Sequence, residues 1–168
     1  MDLFELITRI RRNHGLEHAT VHILSQRHTS LALAGRSDWN GFTLYGSLDT
    51  SEVIQAAHEA LRRLRQGETD LAVHPRCGTV LATTGLLTSL AAFLAISLDS
   101  SNPRGRFRWT AIPMAVMAAT LAAILAQPIG LMLQERYTVS GNPGNLKIKN
   151  ISRKPLGHFV VHRIETIQ

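Results

Sequence analysis

Two long apolar runs without any Asp, Glu, Lys or Arg constrain this 168-residue chain more than any other feature. They cover residues 78–98 and 109–133. As a helix with a rise of about 1.5 Å per residue, the first run is about 31 Å long, which matches the hydrocarbon core of a bilayer. A buried hairpin in a soluble core would need more apolar surface around it than so short a chain provides. The sequence therefore predicts two transmembrane helices.

The two spans are expected to pair as an antiparallel hairpin, because both contain small residues at a spacing of four. These small residues are Gly85 and Ser89 in the first span and Ala115, Ala119 and Ala123 in the second. The same pattern also permits pairing with a partner, as in a homo-oligomer or a larger membrane complex.

Basic residues predict the orientation of the spans. Nine Lys or Arg flank them on the terminal sides, against three in the connecting loop, Arg104, Arg106 and Arg108. By the positive-inside rule, both termini are expected to be cytoplasmic. No signal peptide is expected, because the first twenty residues are charged throughout.

Charge and cysteine content exclude several classes of protein. All 30 charged side chains lie outside the two runs, and the formal net charge of +6 comes from residues 99–108 and 134–168, beside the spans. A nucleic-acid binder would cluster its basic residues on a folded face. We therefore expect the lipid bilayer, and no nucleic acid, as a partner. A single Cys excludes an intramolecular disulfide.

Outside the spans, the pattern predicts an α+β membrane protein. A helix is expected over residues 2–24, two short strands within 31–46, and a second helix with Asp49 at its N-cap and Glu52 at N3. The segments LKIKNI and HFVVHRI alternate like the strands of a short C-terminal β-hairpin. The predicted division is a cytoplasmic, metal-binding domain over 1–77, the transmembrane hairpin over 78–133, and a cytoplasmic tail over 134–168.

The sharpest chemical signal is the segment Asn13-His14-Gly15-Leu16-Glu17-His18. His14 and His18 are four residues apart, so on a helix both rings project from one face and can share a metal. Glu17 completes the H-x-x-E-H order of the inverted zincins, in which the Glu is the general base on a water activated by the metal. Gly15 costs a helix about 1 kcal/mol relative to Ala, which predicts close packing or a kink there.

A second motif, His74-Pro75-Arg76-Cys77, stands just ahead of the first span. An H-x-x-C spacing can present an imidazole and a thiolate to one ion. If His14, His18, His74 and Cys77 all bind, the site is closed and structural. If Cys77 or one of the histidines does not bind the ion, a water can occupy the open position and hydrolysis becomes possible. A third interpretation has no metal and treats the histidines as a polar core.

The pairing of HGLEHATVH at 14–22 with HPRCGT at 74–79 resembles the YqhQ-like bacterial membrane proteins. That family of unknown function is described as predicted metal-dependent enzymes. The segment at 129–140 is similar to the segment that closes the last span in those proteins. The stretches GRSDWNGFTLYG and LRRLRQGETDLAVHPRCGT are closer still to a shorter, related family of unknown function in photosynthetic bacteria.

The resemblance implies a bacterial plasma-membrane protein and marks five positions, His14, Glu17, His18, His74 and Cys77. The chain departs from the larger family at Ala19, where a Lys is usual, and in having fewer spans. The function favoured by these observations is a zinc-dependent, peptidase-like hydrolase at the cytoplasmic membrane surface. His14, His18 and His74 would hold the zinc, Cys77 would be a fourth ligand or a nearby thiol, and Glu17 would be the catalytic base. The alternative is a non-catalytic membrane subunit or assembly factor with a structural metal.

Overall fold

The computed structural model describes residues 2–28, 32–99, 109, 111–156 and 159–168. These residues form four α-helices and one antiparallel sheet of four strands, which confirms the α+β class predicted from the sequence. The chain divides into two compact units, residues 1–74 with 135–168, and residues 75–134. The loop residues Arg104, Arg106 and Arg108 and the residue His158 lie outside the described part of the chain.

The first unit contains the segments that precede and follow the two apolar helices. Its elements are the helices α1 (Leu3–Arg27) and α2 (Thr50–Arg65), a short 3-10 helix (Thr69–Ala72), and the strands β1 (Ala34–Asp38), β2 (Gly41–Tyr45), β3 (Lys147–Leu156) and β4 (Phe159–Ile167). Asp49 occupies the N-cap position of α2 as predicted, although its side chain makes no capping hydrogen bond. The N-terminal strand pair and the C-terminal hairpin both occur.

The two hairpins form one sheet in the order β1-β2-β4-β3. The last strand of the chain, β4, is antiparallel to β2 on one side and to β3 on the other. Residues 147–167 therefore supply two of the four strands of the first unit, whereas the sequence pattern predicted a separate tail. The reason is that β2 would otherwise present an unpaired edge, and β4 satisfies its backbone groups.

The core of the first unit lies between the sheet and the two helices α1 and α2. It contains apolar residues from all three, among them Leu16, Leu24, Phe42, Val53 and Ile164. The buried part of α1 is its C-terminal half, and it includes polar residues. The apolar residues at its N-terminus remain exposed instead, with Phe4 79% and Leu3 64% accessible.

The second unit consists of α3 (Gly78–Asp99) and α4 (Ala111–Leu133), which runs into a π-helical turn (Gln134–Thr138). Both helices are long and apolar enough to cross a membrane, and only 6% and 11% of their most apolar windows are buried. The end of α4 meets the start of α3, since a Cβ on Gly130 would lie 2.9 Å from the Cα of Val80. The predicted antiparallel hairpin is therefore present.

The small residues predicted to pack the two helices together differ in burial. Ala115 and Ala126 of α4 are buried, whereas Gly85 and Ser89 of α3 are exposed. The Gly85–Ser89 pair, predicted as a packing face, is therefore available for contacts outside the hairpin.

Candidate metal centre

Gly15 allows α1 to approach the backbone that follows the π-helical turn. A Cβ on Gly15 would lie only 2.2 Å from the carbonyl oxygen of Ser140. The Ser140 amide donates a hydrogen bond to the Arg11 carbonyl at 2.9 Å, and the Arg11 guanidinium donates to the Val139 carbonyl at 3.0 Å. The close packing predicted for Gly15 is confirmed, and it brings residues 138–140 alongside the neighbouring His14 ring.

Backbone carbonyls fix the two histidines of α1. The Nδ1 atom of His14 lies 2.9 Å from the Thr138 carbonyl oxygen, and Nδ1 of His18 lies 2.7 Å from the Ala72 carbonyl oxygen. Because a carbonyl oxygen only accepts, each Nδ1 must carry the proton and donate it. The lone pair that a metal ion requires is then on Nε2 of each ring. The ring centroids are 4.3 Å apart.

The second motif supplies two further groups. The His74 ring centroid lies 6.0 Å from that of His18. Cys77 follows three residues later, where α3 begins, and the Thr79 amide approaches its sulfur at 3.5 Å.

Within the first unit, the rings of His14 and His18 are close enough for both to bind one metal ion, and the His74 ring lies beside that of His18. Cys77 belongs to the second unit, and its place among the ligands stays a prediction.

Glu17 is buried between α1 and the sheet, with 5% of its surface exposed. Its carboxylate lies against β1, since a Cβ on Gly35 would be 2.1 Å from Oε1. Only glycine at position 35 leaves space for this carboxylate. The role of Glu17 as a general base stays a prediction.

Asn13 is a buried polar residue that the sequence analysis did not single out. Its Nδ2 donates to the Asp38 carbonyl at 2.8 Å, and its Oδ1 accepts from the Thr166 hydroxyl at 2.7 Å. The residue before His14 is thereby tied to both β1 and β4. Only its place in the histidine motif could have pointed to it, because its partners are far away in sequence.

His162 is a second buried polar residue, on β4 and apart from the metal-binding group. Its Nε2 lies 3.1 Å from the Thr50 hydroxyl, and its Nδ1 has no hydrogen-bond partner among the described residues. Burial lowers the pKa of His162, the charge of Arg153 lowers it further, and Asp49 opposes the shift. Its burial therefore favours the neutral form of the ring.

Fold and site together define an α+β protein with two helices able to span a membrane and a histidine pair, His14 and His18, that could hold a metal ion. Residues 9–151 match the domain of unknown function DUF6391, and the chain belongs to this family. It is 37% identical to an uncharacterized protein of Picosynechococcus sp. over 151 residues, which cover 84% of this chain and 71% of that protein. No solved structure matches.

These comparisons confirm the predicted membership of a family of unknown function in photosynthetic bacteria. All five marked positions, His14, Glu17, His18, His74 and Cys77, lie within the matched range.

Proposed function

We propose that this protein is an integral membrane metalloprotein that acts as a zinc-dependent hydrolase, with His14, His18 and Cys77 as ligands. The observation that carries the proposal is the pair of hydrogen bonds from Nδ1 of His14 and His18 to backbone carbonyls. Metal-binding histidines characteristically donate their other ring N–H in this way, which fixes the tautomer and the orientation of the ring. The resemblance to the YqhQ-like proteins supports the same residues.

The chemistry follows from the number of ligands. Three protein ligands leave the fourth position of a tetrahedral ion open, which is the arrangement of catalytic zinc sites. A bound Zn²⁺ would supply Lewis acidity and activate a water for attack on a carbonyl. Glu17, next to His18 on α1, would accept the proton of that water and pass it to the leaving group. A peptide-like bond is the substrate class that the motif favours by analogy.

Membrane insertion of α3 and α4 rests on their length, their lack of charged side chains and their exposure. The distribution of Lys and Arg supports cytoplasmic termini, and hence a site on the cytoplasmic side of the plasma membrane. We therefore place the substrate close to the membrane surface.

A structural metal is the second candidate, and two observations favour it. His18 and Cys77 are only 5% and 6% exposed. The His74 ring also lies close enough to His18 for a side-chain shift to bring it in as a fourth ligand, which would close the site. A closed site would stabilise the fold of a membrane subunit or assembly factor without catalysis.

Cobalt substitution distinguishes the ligand sets. Detergent-purified protein loaded with Co²⁺ in place of Zn²⁺ is expected to show visible bands of tetrahedral geometry and a sulfur-to-metal charge-transfer band. Cys77→Ser should remove the charge-transfer band, and His74→Ala should leave the spectrum unchanged if the site is open. A spectrum that collapses in His74→Ala supports the closed, structural site.

Activity is then tested with a set of quenched fluorescent peptides added to the zinc-loaded protein in liposomes. Glu17→Gln should retain the metal and lose cleavage by about 10²-fold or more, as expected for a missing general base. His22→Ala is the matched control on the same helix, because His22 contacts Gln26 and is outside the metal-binding group. Cleavage that persists in Glu17→Gln would contradict the assigned base, and no cleavage by the wild type would favour the structural candidate.

A further inference from the structure

Three adjoining cavities of about 420, 430 and 320 Å³ lie on the first unit, lined by residues of α1, α2 and the loop 141–146. The first two share Arg65 and Gly144, and the first and third share Asn145 and Gln168. We call this feature the basic groove, because four basic side chains and one acidic side chain line it: Arg9, Arg12, Arg65, Lys147 and Glu5.

Two arginines from different helices converge on one turn of the loop. The guanidinium of Arg12, on α1, packs against Gly144, where a Cβ would lie 2.6 Å from its Nη2 atom. The guanidinium of Arg65, at the end of α2, donates to the Leu146 carbonyl at 2.9 Å. Both cations are therefore held on the same short segment, residues 144–146.

Neutral groups hold these two cations. Arg12 donates to the side-chain oxygen of Gln168 at 3.0 Å, and Arg65 donates to a backbone carbonyl. In the part of the chain that the structure describes, neither forms an ion pair with a carboxylate. Arg27 and Arg163 of the same unit, in contrast, are paired with Glu59 and Asp38. The charges of Arg12 and Arg65 therefore remain available to a ligand.

We propose that the basic groove binds a phosphate group, with Arg12 and Arg65 as its main contacts. Guanidinium groups match the geometry of phosphate oxygens and hold them by charge-assisted hydrogen bonds. The individual cavity volumes fall in the range of small-molecule sites. The groove is formed by residues other than the five of the metal centre, so this site is independent of the proposed hydrolase.

A phosphate could belong to a phospholipid headgroup or to a soluble phosphate compound. The two sources are separated by titrating the full chain in a neutral detergent with soluble, short-chain phosphatidylglycerol and, separately, with inorganic pyrophosphate. Short-chain phosphatidylcholine serves as the zwitterionic control. Tighter binding of phosphatidylglycerol identifies a lipid headgroup site, and tighter binding of pyrophosphate identifies a site for a soluble phosphate compound.

Charge-neutralising variants test the location. Arg12→Gln and Arg65→Gln should each weaken the preferred probe by about tenfold or more, the scale of one charge-assisted hydrogen bond. Arg62→Gln is the matched control, since it removes the same charge from α2 at an exposed arginine that contacts Gln66. Lys147→Gln is a third groove variant. It removes a charge without removing a side-chain hydrogen bond to the backbone, and it should also weaken binding.

The proposal is overturned if neither probe binds, or if Arg62→Gln weakens binding as much as the groove variants do. Pyrophosphate binding that stays unchanged in every arginine variant would indicate binding at a metal ion instead. That result would likewise overturn the proposal.

Discussion

Two glycines of the first unit leave space for neighbouring polar groups because they have no Cβ. Gly15 makes room for the Ser140 carbonyl, and Gly35 makes room for the Glu17 carboxylate. In both places a polar group of the site region occupies the volume that a Cβ would fill. Substitution at either position therefore tests the packing that positions the candidate metal centre.

Gly15→Ala is expected to destabilise the protein by about 1–3 kcal/mol, because a methyl group cannot coexist with a carbonyl oxygen 2.2 Å away. The thermal unfolding of the detergent-solubilised protein, followed by circular dichroism, measures this. Gly85→Ala is the control, a helical glycine with no atom within 4 Å of an added Cβ. An unchanged melting temperature for Gly15→Ala would show that α1 does not rest on residue 140.

Gly35→Ala should destabilise the protein by driving the Glu17 carboxylate out of its place. Because the clash is with one side chain, Glu17→Ala should relieve it, and the double variant should be more stable than the sum of the single effects predicts. The coupling is measured by the melting temperatures of the four proteins. Strict additivity would mean that the Glu17 carboxylate lies elsewhere.

Part of the site can be predicted from the sequence. The rest cannot, because the groups that contact one another are far apart along the chain. A spacing of four on one helix is sufficient to place His14 and His18 side by side. The carbonyls that orient them, at Thr138 and Ala72, are separated from them by 124 and 54 residues in sequence. No local pattern indicates such partners, and the same holds for the bonds of Asn13 to Asp38 and Thr166.

At the scale of elements, the sheet joins the two ends of the chain. Each hairpin follows from local alternation and turn residues, which is why both were predicted. The pairing of β2 with β4, as between Tyr45 and Val161, links segments on either side of the two apolar helices. Such a pairing depends on one strand edge finding another, and strand alternation alone does not specify the partner.

His162 connects two of these elements, β4 and the start of α2, and makes their packing sensitive to pH. Its pKa is lower in the folded protein than the ordinary value of 6.5, so the unfolded chain binds the proton more readily. The contribution of neutral His162 to the stability of the fold is therefore fully present above about pH 6.5. It is lost as the pH falls from there through the lowered pKa of the folded state. The facing charges are Arg153 and Asp49.

We expect His162→Gln to show a smaller fall in melting temperature between pH 8 and pH 5 than the wild type does, by about the contribution of one titrating group. His58→Gln, which removes an exposed histidine of α2, should leave the wild-type pH profile unchanged. A fall of equal size in His162→Gln and the wild type would contradict the assignment of the pH effect to His162.

At the scale of the whole molecule, the first unit carries His14, His18 and the basic groove, and the second carries Cys77 and the two apolar helices. All 30 charged side chains lie outside the two uncharged runs of the sequence. This separation of the charged side chains from the two apolar helices supports the proposed membrane protein.

Membrane insertion predicts that washing isolated membranes with alkaline carbonate leaves the protein in the pellet and that detergent releases it. A peripheral protein is the control and should be released by carbonate alone. Release of the full-length chain by carbonate would contradict insertion of α3 and α4.

The central claim is the metal centre, and the metal content of the detergent-purified protein tests it most directly. We predict close to one equivalent of zinc per chain in the wild type and in His22→Ala, and its loss in the double variant His14→Ala/His18→Ala. Retention in the double variant would place the metal elsewhere. A wild-type protein without metal, even when zinc is supplied during expression, would contradict the account.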